Sequence, residues 1–154
     1  MLPDRKIRTL GMAAAAFLLA ACSSDPAPFT GAKRQVSHPY SVNNVTYVPR
    51  EELAYDAVGI ASWYGKRFHG RRTASGEIYN MNSATAAHPT LPFGTRVRVT
   101  NLANGHSVVL KINDRGPFAK RRIIDVSRRA AQALHFVQKG TARVRVQIVH
   151  PPPG

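Results

Sequence analysis

Acidic residues are scarce in this sequence: 8 Asp and Glu stand against 22 Lys and Arg in 154 residues, for a formal net charge of +14. From Val58 to the end only three remain, Glu77, Asp114 and Asp125, so chemistry that needs a carboxylate has few groups to draw on. Cysteine is scarcer still. Cys22 stands alone, which excludes an internal disulfide framework and a thiolate metal cage. His69 and His106 lack metal-ligand spacing, so neither a metal nor another cofactor is expected. Long apolar runs are missing as well. The stretch LGMAAAAFLLAA, Leu10 to Ala21, has 12 residues, too few to cross a bilayer as a helix. Ser75 precedes Gly76 without the context of a nucleophile elbow, which argues against a serine hydrolase.

The same apolar run has the right length for an export signal, with Arg5, Lys6 and Arg8 as its basic n-region and residues 1–21 as the signal peptide. It ends in LAAC, Leu19 to Cys22. That ending resembles the lipobox of bacterial lipoproteins, in which the cysteine is lipidated and becomes the new N-terminus. The plainer reading is an ordinary signal peptide with a stray cysteine, but a lone thiol in an exported protein then wants explaining. Ser23 follows Cys22, where an aspartate would resemble an inner-membrane retention signal. The implied address is the outer membrane of a Gram-negative bacterium, facing the periplasm and held through lipid on Cys22. Export makes nucleic acid a poor partner for this basic chain. Without residues 1–21 there remain 19 basic and 7 acidic residues, a net of +12. Such a charge is either a plain solvated surface or an attraction to the anionic cell wall and lipid phosphates.

Residues 22–57 read as a lipid-anchored tether containing Pro26, Pro28, Pro39 and Pro49. Within it, YSVNNVTYV gathers β-formers around Asn43-Asn44 and fits a small hairpin. The tether could reach roughly 110 Å when extended and about 30–35 Å as a coil. From Val58 to Val149 the texture changes to short strands separated by glycine turns. TRVRVTN alternates Val97 and Val99 against Arg96, Arg98 and Thr100, and SVVLKIN sets Val108, Leu110 and Ile112 on one face. Between them Asn104-Gly105 signals a type I′ hairpin turn. ARVRVQIV repeats the alternation with Val144, Val146 and Ile148. Helical periodicity is clear only in SRRAAQAL, where Ser127 is the N-cap and Ala130, Ala131 and Leu134 share a face. Several strands and one short helix imply a mainly β fold, a small barrel over 58–149. The tail, 150–154, reads as disordered.

Each carboxylate in the barrel region is conspicuous. Asp125, in RIIDVS just before the N-cap, reads as structural, accepting hydrogen bonds near the helix start or pairing an arginine. Glu77, in TASGEIYN, and Asp114, in NDRGPF, lie in turn-rich stretches without an apolar role. Two such groups are what glycosidic cleavage needs: one proton for the leaving oxygen and one group for the developing charge. The competing reading is that both balance neighbouring arginines. Trp63, Tyr64 and Phe68 could stack on sugar faces, although a tryptophan in a strand fits a core equally well.

The blocks ASWYG, FHGRRTASGE, TAAHPTLPFGT, VTNLANG and NDRGPF…RIIDVS, in this order and spacing between Gly59 and Ser127, closely resemble the rare lipoprotein A family of bacterial lytic transglycosylases. The resemblance implies a six-stranded double-psi β-barrel with one short helix. It places the family's functional residues on Glu77, Asp114 and His88, with Arg115 beside them for substrate. It also implies peptidoglycan glycan strands as substrate, cut at the β-1,4 bond between N-acetylmuramic acid and N-acetylglucosamine to leave 1,6-anhydro ends. Asp114 is the expected acid/base while Glu77 stabilises or shares the proton transfer, the two roles being exchangeable at this point, and His88 hydrogen-bonds a carboxylate or the glycan. Cations at Lys111, Arg115, Arg71 and Arg72 would lower the pKa of Asp114, against its use as a donor. A non-catalytic, expansin-like wall-binding or wall-loosening protein is the alternative that the same barrel allows.

Overall fold

The computed structural model describes residues 37–150. The expected signal peptide, the lipidation site Cys22, the first part of the tether and residues 151–154 lie outside the described residues. The first described elements are β1 (Tyr40–Val42) and β2 (Val45–Tyr47), an antiparallel hairpin. Asn43 and Asn44 form its two-residue turn with φ of 51° and 61°, a left-handed conformation that asparagine tolerates.

Six further strands make the barrel: β3 (Asp56–Trp63), β4 (Thr85–Ala87), β5 (Arg96–Asn101), β6 (Ser107–Asp114), β7 (Arg122–Val126) and β8 (Thr141–Ile148). They close in the order β3-β7-β4-β6-β5-β8, with β3–β7 and β4–β6 parallel and the other pairs antiparallel. Closure leaves no barrel strand edge unpaired. The alternation read from the sequence points inward as expected. Val97, Val99, Leu110, Ile112, Val144 and Val146 are fully buried, while Arg96, Arg98, Arg143 and Arg145 are exposed. Each such side chain contributes about 1.5–3 kcal/mol by leaving water. β3 starts at Asp56, whose carboxylate takes two hydrogen bonds from Arg145 on β8.

The helix α1 (Arg128–Ala133) is capped by Ser127, whose hydroxyl accepts from the Ala130 amide at 3.3 Å and donates to the Ser83 carbonyl at 2.6 Å. Ala130, Ala131 and Leu134 plug one end of the core together with Phe136. The β5–β6 turn differs from the two-residue type I′ turn expected at Asn104-Gly105. Only Gly105 takes a positive φ, 76°, and the loop runs over residues 102–106. Tertiary contacts impose the longer loop: the Asn101 and Asn104 side-chain amides both donate to the carbonyl of Leu134, at 2.9 and 3.2 Å.

Candidate functional site

Two register shifts in the barrel aim its acidic residues. Along β4–β6, Ala86 faces Ile112 and Ala87 faces Asp114, so Asn113 is the extra residue of a bulge. Along β3–β7, Ile60 faces Arg122 and Ala61 faces Ile124, which leaves Ile123 extra. Bulges re-aim side chains in this way beside functional sites. The outcome is a row across three strands: Ala87 on β4 is the register partner of Asp114 on one side and of Asp125 on the other. Two strand spacings put the acidic Cα atoms roughly 10 Å apart, and the alanine between them leaves the floor open. Tyr64, Phe68, Ala87, Asp114, Arg115 and Asp125 line the resulting cavity of about 140 Å³.

Asp114 ends β6 instead of lying in a free loop. Its Oδ1 accepts from the amides of Ala74 and Arg115, both at 2.9 Å. Three of the cations read as its neighbours, Lys111, Arg72 and Arg115, are otherwise engaged. Lys111 pairs with Glu77 at 2.8 Å, and Arg72 donates to the Gly76 carbonyl at 2.8 Å. Arg115 reaches away from the carboxylate: its Nη1 donates to the carbonyls of His88 and Leu91 at 3.1 and 2.7 Å, its Nη2 donates to Ser37, and its plane lies 3.9 Å from the centre of the Phe93 ring. These contacts make it a clamp on the chain, and it also lines the Asp114 cavity.

Asp125, read from the sequence as structural, enters the cavity. It does pair with an arginine, Arg122 Nη2 at 3.6 Å, and it accepts from the Ser62 hydroxyl. Burial raises its pKa and outweighs the lowering by the Ser62 hydrogen bond and the Arg122 charge. A clue was available in the sequence: an aspartate amid β-branched residues is unusual in a strand. The helix start that follows drew the assignment elsewhere.

Glu77 stands apart from this pair. It lines a different cavity, of about 300 Å³, with Lys111 and Asn113. Its Oε1 accepts from Lys111 and its Oε2 from Asn113 at 2.9 Å. Partial burial pushes the Glu77 carboxyl up, but those two hydrogen bonds and the Lys111 charge together hold it below the usual range. Residues 73–77 thereby staple the end of β6, with the Ser75 amide on the Asn113 carbonyl and the Ala74 amide on Asp114.

The His88 imidazole bonds to neither carboxylate, contrary to one of the two partners expected for it. Nδ1 accepts from the amides of Thr90 and Leu91 at 3.2 and 3.0 Å, so the neutral ring carries its proton on Nε2, which meets the Tyr55 hydroxyl at 3.0 Å. Burial, and then the charge of Arg115, push its pKa down to about 3. Its backbone touches the site, since the His88 amide donates to the Asp114 carbonyl at 3.1 Å.

The aromatic residues divide. Tyr64 lines the Asp114 cavity with its ring centre 4.2 Å from Tyr79 and 6.0 Å from Phe68. Burial and then the Asp114 charge raise the pKa of its phenol. That hydroxyl is buried, and the nearby Thr85 hydroxyl makes no hydrogen bond of normal geometry with it. Trp63 is half-buried, packs on the core, and donates from Nε1 to the Val137 carbonyl at 3.3 Å. Trp63, Tyr64, Phe68 and Asp125 also border a second cavity of about 490 Å³ that adjoins the first.

A closed six-stranded barrel of this mixed parallel and antiparallel topology is a double-psi β-barrel, and here two strands that flank β4 bring acidic side chains to one cleft. Solved structures share this fold alone: the Streptomyces papain inhibitor (TM-score 0.51, 23% identity, 62% of this chain and 96% of that one) and a Clavibacter michiganensis expansin (TM-score 0.50, 17% identity, 65% and 53%). Residues 56–146 match the family model described as lytic transglycolase, and the chain belongs to that family. Among curated relatives, the endolytic peptidoglycan transglycosylase RlpA of Neisseria meningitidis is 54% identical over 113 residues, 73% of this chain and 47% of that protein. RlpA of Pseudomonas aeruginosa is 50% identical over 127 residues (82% and 37%), and a probable RlpA of Synechocystis is 63% identical over 91 residues (59% and 28%). The chain spans less than half the length of these relatives.

Proposed function

We propose that this protein is a lytic transglycosylase of peptidoglycan, cleaving the β-1,4 bond between N-acetylmuramic acid and N-acetylglucosamine. The observation that carries the reading is the row Asp114–Ala87–Asp125 in the cleft of a barrel whose family is lytic transglycolase. In this reaction the bond from muramyl C1 to the bridging oxygen breaks, and that oxygen takes a proton. The muramyl O6 attacks C1 and gives up its own proton, so an anhydro ring forms and no water is consumed. The enzyme needs one donor and one acceptor, on one residue or two.

Asp114 accepts the O6 proton in this proposal. Asp125 is the donor, since burial favours its protonated form. Glu77 remains ionised and, through the hydrogen bonds it accepts from Lys111 and Asn113, steadies the end of β6 that carries Asp114. His88 positions the 88–91 turn and the Asp114 backbone without exchanging protons. Tyr64 and Phe68 form the wall against which a sugar packs, Trp63 extends it, and Arg115 braces the loop behind Asp114. In the envelope, lipid on Cys22 anchors the domain to the outer membrane, facing the periplasm, within reach of the wall.

The test is a digest of purified sacculi with wild type, Asp114→Asn and Asp125→Asn, read by mass spectrometry of released muropeptides. General acid–base loss costs on the order of 10²–10⁴ in rate, so anhydro products should nearly vanish with either variant while the melting curves stay cooperative. Undiminished anhydro product from Asp114→Asn removes that residue from the mechanism. A wild type that binds sacculi and releases nothing makes the domain a wall-binding module.

A further inference from the structure

The cleft does not end at the acidic pair. The larger cavity adjoins the Asp114 cavity through Tyr64, Phe68 and Asp125, which line both. Its outer wall carries Lys66 and Arg67 on a short 3₁₀ turn, residues 66–68, and its inner wall carries Arg122. Three cations thus face one carboxylate, and Arg122 alone is paired with it. Among the described residues no carboxylate pairs with Lys66 or Arg67; the guanidinium of Arg67 rests 4.9 Å from the centre of the Phe68 ring, inside the cavity rim. Gly65 also lines the cavity, and a Cβ there would meet only Trp63, at an ordinary 3.5 Å.

We propose that this cavity is an anion subsite that takes the carboxylate borne by the O3 substituent of the muramic acid residue being cleaved. The inference rests on the transglycosylase reading above. Only the muramyl sugar of the repeat carries an acidic O3 arm, and when its C1 lies over Ala87 that arm must leave the small cavity. The larger cavity is the adjoining space that shares Asp125 with it, and it carries the positive charge such an arm needs. Lys66 and Arg67 supply charge-assisted hydrogen bonds to the carboxylate, and Trp63 supplies an apolar wall for the lactyl methyl. The carboxylate has two sources: a bare lactyl group where the stem peptide has been removed, or the acidic groups of an attached peptide.

The experiment compares wild type with Lys66→Ala/Arg67→Ala on peptide-free glycan strands, on peptide-bearing sacculi, and on peptide-free strands whose carboxyls have been converted to methyl amides. Lys139→Ala/Arg143→Ala, at two residues that do not line the cavity, removes the same charge and serves as control. Both anhydro-product kinetics and strand binding are measured. The subsite predicts that the Lys66/Arg67 variant loses about tenfold in apparent affinity on the carboxylate-bearing substrate with kcat little changed, that amidation costs wild type the same factor, and that amidation does not affect the variant. Loss on peptide-free strands alone assigns the lactyl carboxylate, and loss on sacculi alone assigns the peptide. Equal losses for the control variant, or equal losses on amidated strands, overturn the subsite. If wild type forms no anhydro product on any substrate, the transglycosylase reading fails, and the binding data decide the subsite separately.

Discussion

Position 87 shows how much one small side chain decides. Ala87 is buried, flanked in register by Asp114 and Asp125, and its methyl group is all that stands between them. Of three titratable residues around Asp114, His88 and Glu77 lose their stabilising contribution as pH falls, whereas Asp125 loses its own as pH rises. His88 has a folded-state pKa below its unfolded value of about 6.5, so its contribution is fully present above that value and is lost as pH falls toward about 3. His88→Asn keeps an acceptor for the two amides but cannot take up a proton. It should flatten the acid limb of the melting temperature between about pH 6.5 and 4, while changing turnover far less than the acid–base losses expected at Asp114. Thermal melts across that range, with activity at pH 7, check both parts.

Asp125 and Glu77 should slope oppositely. The pKa of Asp125 is raised, so its stabilising contribution is present below the unfolded value near 3.9 and is lost as pH rises through the folded one. Asp125→Asn should therefore gain melting temperature relative to wild type from pH 4 to 7, the reverse of a purely structural aspartate. The pKa of Glu77 is lowered, so its contribution holds above about 4.3 and fades as pH falls. Glu77→Gln should be less stable than wild type at neutral pH, by under about 1 kcal/mol because the pair is half exposed, and the deficit should close in acid. Parallel slopes for the two variants would contradict the assignment.

At the scale of elements, the bulges carry the site. Ile123 is the extra residue of β7, and it packs where β3 has Gly59: a Cβ there would lie 2.5 Å from Ile123 Cγ2 and 2.9 Å from Cγ1. Ile123 is β-branched and cannot swing aside cheaply. Gly59→Ala should cost about 1–3 kcal/mol of stability and should also lower activity, because the bulge that sets Asp125 opposite Ser62 is displaced. A variant that melts lower but turns over normally per folded molecule would separate the bulge from the chemistry. The β1–β2 hairpin is likewise tied to the site: Tyr40 and Tyr47 pack on Phe118 with ring centres 6.1 and 5.3 Å away, and the Tyr40 hydroxyl donates to the Pro89 carbonyl at 2.7 Å. The segment after Asp114 is thus held from both sides.

For the whole molecule, charge and the proposed anchor would act together. Once exported, a basic domain would be drawn to an acidic wall at long range, and a lipid on Cys22 would keep it at the membrane. Cys22→Ala in the full chain should release a soluble periplasmic form detectable by fractionation. Retention of that variant with outer membranes would shift the anchoring role to the basic surface.

Local patterning made the barrel legible. Alternating valines against arginines in β5 and β8 fix which face is buried, and Ser127 followed by Ala130, Ala131 and Leu134 fixes the helix, because these are properties of residues two to four positions apart. The motif blocks also marked Asp114 as exceptional in a basic chain. What the sequence could not decide is which acid faces which. Glu77 and Asp114 are paired by the family resemblance, yet their side chains line different cavities, while Asp125 becomes the cross-strand companion of Asp114. That pairing exists only when β6 and β7 flank β4, and it depends on the single-residue register shifts beside Asn113 and Ile123. A shift of one residue turns a side chain to the other face of a sheet, and no local pattern encodes it.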